Sequence, residues 1–312
     1  MDLRIQIDAD AGGQYRFRIS AGTREVTIAV DPNLATSFYE DLRLLRWKSV
    51  GARDPGDVLL NHVGERLAEL IASPEQWNEL GLANEARQVR VQFSQTAHPL
   101  MPFPWELLRV NDAFLIGAQG SHLVRNVPAA AAKKRRRNPL INVVHMSLGT
   151  DNGLRFDEER CRLLETVPAS IPMEFLIDPS PGHIEAILDG FRPHIVIISG
   201  HGHYDDLQGE HYLSLGDGRH ARTARLVALC ASYGCKLLVL STCESARLGG
   251  PVVDEGTMLP ADLIAFTFPV ESTTATASIA CLFQELVQGR TVEEAMMAVR
   301  ALDTTDEYAF FN

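Results

Sequence analysis

The sequence predicts an α/β protein in two parts: a doubly wound, mostly parallel sheet with helices on both faces over 139–312, preceded by a smaller α+β half over 1–126. Three observations carry this. Between 140 and 301, short apolar runs alternate with amphipathic helical patterns, the signature of parallel strands joined by crossover helices. Runs such as Ile195-Val196-Ile197-Ile198 are nearly continuous, as strands covered on both faces must be. A basic stretch at 127–138 separates this pattern from a first part with a different rhythm, and 312 residues at roughly 150 per domain allow about two domains.

In the first half, Leu3, Ile5 and Ile7, then Tyr15, Phe17 and Ile19, then Val26, Ile28 and Val30 alternate with their neighbours. Ala11-Gly12-Gly13 and Ala21-Gly22 supply turns between them, so a small antiparallel edge is expected. Helical spacing follows near 34–48 and 56–73; in the second helix Val58, Leu59, Val63, Leu67, Leu70 and Ile71 recur on one face. A third helix is expected over 75–86, then a strand at 89–93, the segment Met101-Pro102-Phe103-Pro104-Trp105-Glu106-Leu107-Leu108, and a strand at Phe114-Leu115-Ile116.

Residues 127–138, Val-Pro-Ala-Ala-Ala-Ala-Lys-Lys-Arg-Arg-Arg-Asn, have the composition of an exposed linker. Beyond it, strands are expected at 140–146, 173–177, 194–199, 236–241 and 262–268. The helices fall at 155–167, 182–190, 221–233, 272–288 and 292–301.

Hydrophobic residues make up 46% of the chain and charged residues 22%, enough apolar material for a sizeable core, which excludes global disorder. The net charge, 29 − 40 = −11, opposes direct binding to nucleic acid or anionic membranes and favours cationic partners. Five cysteines at irregular spacing argue against a disulfide framework and for a reducing compartment. The first twenty residues lack the apolar core of a signal peptide, and no stretch reaches about 18 apolar residues, so a cytoplasmic location is expected.

In a doubly wound sheet, ligands bind beyond the carboxyl ends of the strands. Two such ends carry chemistry: Gly200-His201-Gly202-His203-Tyr204-Asp205-Asp206 and Thr242-Cys243-Glu244-Ser245. Neighbouring strands lie about 5 Å apart, so an imidazole and a thiol at adjacent ends can form a base and nucleophile pair. His201 would generate the Cys243 thiolate and protonate the leaving amine, and the amides of Gly202 and Cys243 could form an oxyanion hole. The same residues also suit a plain structural role, Cys243 as a small buried hydrophobe and His201 as a hydrogen-bonded turn residue. Cys161, Cys230, Cys235 and Cys281 read as core or near-core.

Segments 196–202 (VIISGHG) and 237–244 (LLVLSTCE), with PWELL at 104–108 and FQELVQGRTVEEAMMAVR at 283–300, resemble the CHAT domain. Its members are caspase-like cysteine peptidases related to separase. The resemblance extends over the chain from about 56 onward and implies a caspase-like sheet with His201 and Cys243 as the catalytic pair. It also implies a non-catalytic pseudo-protease half that carries PWELL. The family's alanine-rich helix pattern is missing between Cys243 and the strand at 262–268. In caspase-like folds the residues after the first strand, just before the nucleophile and after the last strand face one pocket, which here means Asp151, Ser241 and Glu271, with His203 at the rim. Acidic walls select a basic side chain, so cleavage after Arg or Lys is expected. Turn and capping roles stand equally open, because Asp151 lies in Asp-Asn-Gly and Glu271 precedes a helix. CHAT-type peptidases are commonly switched by a sensor or partner in bacterial conflict or regulated proteolysis, which implies an activator and a specific protein substrate. Thiol chemistry of this kind needs no cofactor.

His201-Gly202-His203-Tyr204-Asp205-Asp206 is also similar to the His-x-His-x-Asp-His metal motif of metallo-β-lactamase-like hydrolases, but Asp206 replaces the last histidine and no histidine follows His220. The run Lys133-Lys134-Arg135-Arg136-Arg137 suits a solvated linker, a nucleic-acid contact or a self-processing site. A different class remains, a catalytically silent scaffold for protein interaction. Neither a glycine-rich phosphate loop nor a G-x-S-x-G serine elbow is present. The apolar ending Tyr308-Ala309-Phe310-Phe311-Asn312 suggests a piece of a longer protein, or an end that docks elsewhere.

Overall fold

The computed structural model describes residues 2–30, 33, 38, 57–82, 88–101, 103–116, 122–126, 142–150, 154–205, 207–215, 218–248, 259–266 and 272–302. The chain divides into two compact units, Met1–Pro128 and Ala129–Asn312. The expected helix at 34–48, the linker at 127–138 and the apolar ending lie outside the described residues, apart from Phe38.

In the first unit, β1 (Asp2–Ala9), β2 (Tyr15–Ala21) and β3 (Arg24–Val30) form the expected antiparallel meander. Leu3, Ile5, Ile7, Phe17 and Ile19 are fully buried while most of their neighbours stay wet, as period-two alternation requires. Helix α1 (Asp57–Ile71) buries Val63, Leu67 and Ile71 along one face. Helix α2 (Pro74–Leu80) starts at a capping box, with Gln76 N–H on Ser73 Oγ and Ser73 N–H on Gln76 Oε1. It stops short of the expected 75–86 because Gly81 adopts a left-handed φ of 63°.

Strand β4 (Gln88–Phe93) pairs parallel with β1. The expected strand at 114–116 is instead a two-residue hairpin, β5 (Arg109–Val110) with β6 (Ala113–Phe114). Asn111 and Asp112 at its tip both take positive φ, 51° and 62°, the geometry of a tight hairpin turn. Strand β7 (His122–Asn126), which the sequence reading did not anticipate, joins β4 in parallel and makes the sheet mixed, in the order β3-β2-β1-β4-β7.

The PWELL segment is structural. Trp105 is fully buried against Phe17, Phe93 and Phe103, and its Nε1–H donates to the Leu100 carbonyl at 2.9 Å. Glu106 is also buried and pairs with the Arg125 guanidinium from β7. Burial pulls the Arg125 guanidinium down to about 10, against the opposing attraction of Glu106.

The second unit is mixed α/β, with a parallel sheet flanked by helices. Its elements begin with β8 (Val143–Leu148), α3 (Phe156–Thr166), β9 (Met173–Ile177), α4 (Pro181–Phe191) and β10 (Ile195–Gly200). A small three-stranded antiparallel sheet follows, β11 (Gly202–Asp205), β12 (Glu210–Ser214) and β13 (His220–Arg222). Then come α5 (Thr223–Ser232), β14 (Leu237–Ser241), β15 (Asp262–Ala265), α6 (Ser272–Val287) and α7 (Val292–Leu302).

All pairings in the main sheet are parallel, in the order β15-β14-β10-β8-β9. One apolar layer holds Val144, Val196 and Leu238 with Leu188 and Val227; the other holds Val143, Ile197 and Val239 with Leu163, Phe283 and Val299. Helices therefore cover both faces, which is why the central strands read as unbroken apolar runs. The order of crossing reverses between β8 and β10, and this type of switch point opens a crevice at the carboxyl ends.

Candidate active site

Strands β10 and β14 are parallel neighbours with Ser199 opposite Ser241. His201 and Cys243 each come two residues after that pair, so both chain segments leave the sheet at the same edge. Strands pair at about 4.8 Å, so the two segments start out from neighbouring positions. A second contact ties them together: a methyl group built on Gly202 would lie 2.8 Å from the Cys243 carbonyl oxygen. His201 and Cys243 are each partly exposed.

The turn that carries Cys243 is held from below by Ser245, which is fully buried. Its hydroxyl lies 2.8 Å from the Thr242 carbonyl and 3.1 Å from that of Leu240, and accepts from Phe266 N–H at 3.0 Å. Ala246 N–H donates to the Phe266 carbonyl at 2.9 Å. These bonds force a sharp exit from the strand, and Glu244 takes a left-handed φ of 55°. A non-glycine residue there costs on the order of 1–2 kcal/mol. The Thr242 hydroxyl is buried without a partner among the described residues. Two local costs beside one partly exposed thiol mark a turn whose shape is maintained by its surroundings. Arg247 joins this turn to β11: its guanidinium carbon stands 3.6 Å from the centroid of the Tyr204 ring and a nitrogen lies 3.7 Å from Glu244 Oε1.

A residue absent from the sequence reading sits between the two segments. His211, on β12, is 3% exposed; its Nε2 lies 2.8 Å from the Cys243 carbonyl and its Nδ1 2.7 Å from Thr223 Oγ1. The carbonyl can only accept, so Nε2 carries a proton, and in the neutral ring Nδ1 accepts from the Thr223 hydroxyl. The methyl built on Gly202 would also lie 2.7 Å from His211 Cε1. The missing side chain of Gly202 is thus explained by packing inside the protein. No motif signalled His211, because it lies on a short strand of mostly polar residues.

The remaining candidates divide. Asp151 and Glu271 lie outside the described residues. Ser241 is buried and stands in a row with Ser199 and Ser147 across β14, β10 and β8, each paired in register and each under 9% exposed. Glu159 from α3 lies against this row, with one oxygen on the Ser199 hydroxyl and 2.6 Å from His145 Nε2. Ser199 and Glu159 share that single ring nitrogen, since Ser199 Oγ is 3.3 Å from Nε2 as well, so the cluster lacks the two-sided relay of a serine triad.

His203 is exposed on the face of the small sheet opposite Gly202 and His211, by strand alternation. It stacks on Tyr212 at 5.5 Å and meets His220 edge-on at 5.0 Å. Among the described residues no group of three or more His, Cys, Asp and Glu side chains is placed to hold a metal ion. After β8, the loop is held by Asp178, which accepts from the Gly149 and Thr150 amides and the Thr150 hydroxyl. Burial pushes the Asp178 carboxyl up, but the bonds from Thr150 and Gly149 outweigh it and hold the group below its usual range.

Of the other cysteines, Cys230 and Cys235 are buried, as expected, and burial pushes the Cys230 thiol up to about 12. Cys281 is half-buried, and Cys161 departs from expectation by being exposed, on a helix whose apolar stripe is narrow. Among the described residues no helix is long and apolar enough to cross a membrane. No protein-family model matches the chain, and no curated protein matches it.

Proposed function

We propose that this protein is a cysteine endopeptidase of the CHAT, caspase-like type. The observation that carries the proposal is the meeting of two chain segments at one sheet edge, where β10 and β14 end as paired neighbours just before His201 and Cys243 and Gly202 lies against the Cys243 carbonyl. The strand order, with its switch point between β8 and β10, and the partial exposure of Cys243, where Cys230 and Cys235 are buried, support the same reading.

In this mechanism His201 takes the thiol proton, and the Cys243 sulfur attacks the scissile carbonyl carbon. The amides of Gly202 and Cys243 stabilise the developing oxyanion. The C–N bond then breaks as His201 returns the proton to the leaving amine, and water hydrolyses the thioester with His201 as base. On this reading Asp151 and Glu271, the acidic residues expected around the substrate with Ser241, favour cleavage after Arg or Lys. Cytoplasmic action under the control of a sensor or partner, in bacterial defence or regulated proteolysis, completes the proposal.

A positional peptide library, with candidate partners added, tests it on wild type, Cys243→Ala and His201→Ala. Cleavage after basic residues that both substitutions abolish is the expected result. Cleavage after acidic residues overturns the pocket assignment alone. Turnover that survives Cys243→Ala overturns the enzyme reading, and partner binding with no turnover in any protein favours the scaffold.

A further inference from the structure

We infer that His211 is a positioning residue for Cys243, acting as a buried spacer that sets the nucleophile's turn at a fixed distance from the His201 loop. The inference rests on the reading of Cys243 as the nucleophile. It begins from the juxtaposition of one imidazole with both halves of the site. Nε2 donates to the Cys243 carbonyl at 2.8 Å, and the same ring lies so close to Gly202 that a methyl group there would approach it to 2.7 Å. The opposite nitrogen is anchored 2.7 Å from Thr223 Oγ1, and Thr223 is fully buried at the first turn of α5. That helix packs through Leu226, Val227 and Cys230 into the core under the main sheet. An unbroken chain of contacts therefore leads from the core, through one ring, to the Cys243 main chain.

The carbonyl bond fixes the peptide plane after Cys243, and Glu244 with its left-handed φ turns the chain away immediately behind it. Together they restrict where the Cys243 side chain and amide can point, which a reaction at that sulfur requires. Filling space alone would use neither ring nitrogen. With one nitrogen on the carbonyl and the other on the hydroxyl, His211 leaves the role of base to His201.

The test compares wild type with His211→Leu, His211→Gln, Thr223→Val and His201→Ala. Each is treated with iodoacetamide near neutral pH, and the alkylation rate at Cys243 is read by peptide mapping, with exposed Cys161 in the same sample as internal standard. His211→Leu is expected to lower the ratio of Cys243 to Cys161 rates by about 10-fold or more as the turn relaxes and the sulfur moves away from His201. On any cleaved peptide it should lower kcat by about 10- to 100-fold with little change in KM. Gln keeps an N–H donor and is expected to restore the Cys243 rate to within a few-fold, while Thr223→Val falls in between. If His201→Ala leaves the Cys243 rate unchanged, the nucleophile reading itself fails. If His201→Ala slows it but His211→Leu does not, the peptidase reading survives and the positioning role is overturned. Equal losses in the Leu and Gln variants with Thr223→Val unaffected also overturn it. Should His211→Leu fail to fold, the Gln and Val variants decide by the same criteria.

Discussion

Substituting Gly202 by alanine tests the packing between the two halves of the candidate site. The added methyl would stand 2.8 Å from the Cys243 carbonyl oxygen, where such contacts normally begin at about 3.3 Å, so something must yield by about 0.5 Å. Against His211 Cε1, at 2.7 Å, the deficit from a carbon contact of about 3.5 Å is about 0.8 Å. Neither neighbour can move easily, because the carbonyl belongs to a turn pinned by Ser245 and the ring is held at both nitrogens. Overpacking of this kind costs roughly 1–3 kcal/mol, and a displacement approaching 1 Å at reacting groups costs up to about 100-fold in rate. Gly190→Ala is the matched control: it lies on α4 with nothing within 4 Å of an added methyl, and should stabilise by up to about 1 kcal/mol. Urea unfolding of both variants, with site-resolved alkylation of Cys243, gives the two readouts. A Gly202→Ala protein as stable as wild type, with an unaltered Cys243 rate, would refute the close approach on which the site rests.

Three further expectations follow from buried or tethered groups. Glu106→Gln leaves the Arg125 guanidinium buried without its carboxylate and should destabilise the first unit by about 3–5 kcal/mol in urea unfolding; a loss below about 1 kcal/mol would contradict the pairing. In native protein, iodoacetamide should modify Cys161 and Cys243 well before Cys230 and Cys235, whose burial raises their thiols, and early labelling of either buried thiol would contradict the packing. Asp178 has a folded-state pKa below its unfolded value, so its contribution to stability is present at neutral pH and is lost as pH falls through the carboxylate range. Asp178→Asn should flatten that part of the stability profile between neutral and acid pH, and an unchanged profile would show that the 149–150 loop does not depend on it.

What the sequence revealed and what it hid follow from the range of the forces involved. Strands β10 and β14 were legible to within a residue or so because burial on both faces demands unbroken apolar runs. The meander of β1, β2 and β3 was legible because one wet face demands alternation. By contrast, β11, β12 and β13 are short and rich in His, Tyr and Glu, and they exist because they pair with one another and pack near the Cys243 turn, which no local pattern announces. Strand β7 was hidden for a related reason: its Arg125 looks like a surface charge until Glu106, 19 residues earlier, is found beside it in the core.

The sequence by itself determined the two-part organisation, the parallel sheet of the second part, and the placing of His201 and Cys243 just beyond strand ends, since each follows from local hydrophobic periodicity. Only the tertiary structure decided that those ends belong to neighbouring strands in matching register, that Gly202 is small because a carbonyl and an imidazole occupy the space, and that His211 stands between them. Those facts depend on which strand pairs with which, a choice made by long-range packing of both sheet faces, and a residue's identity carries no record of the neighbour it will meet.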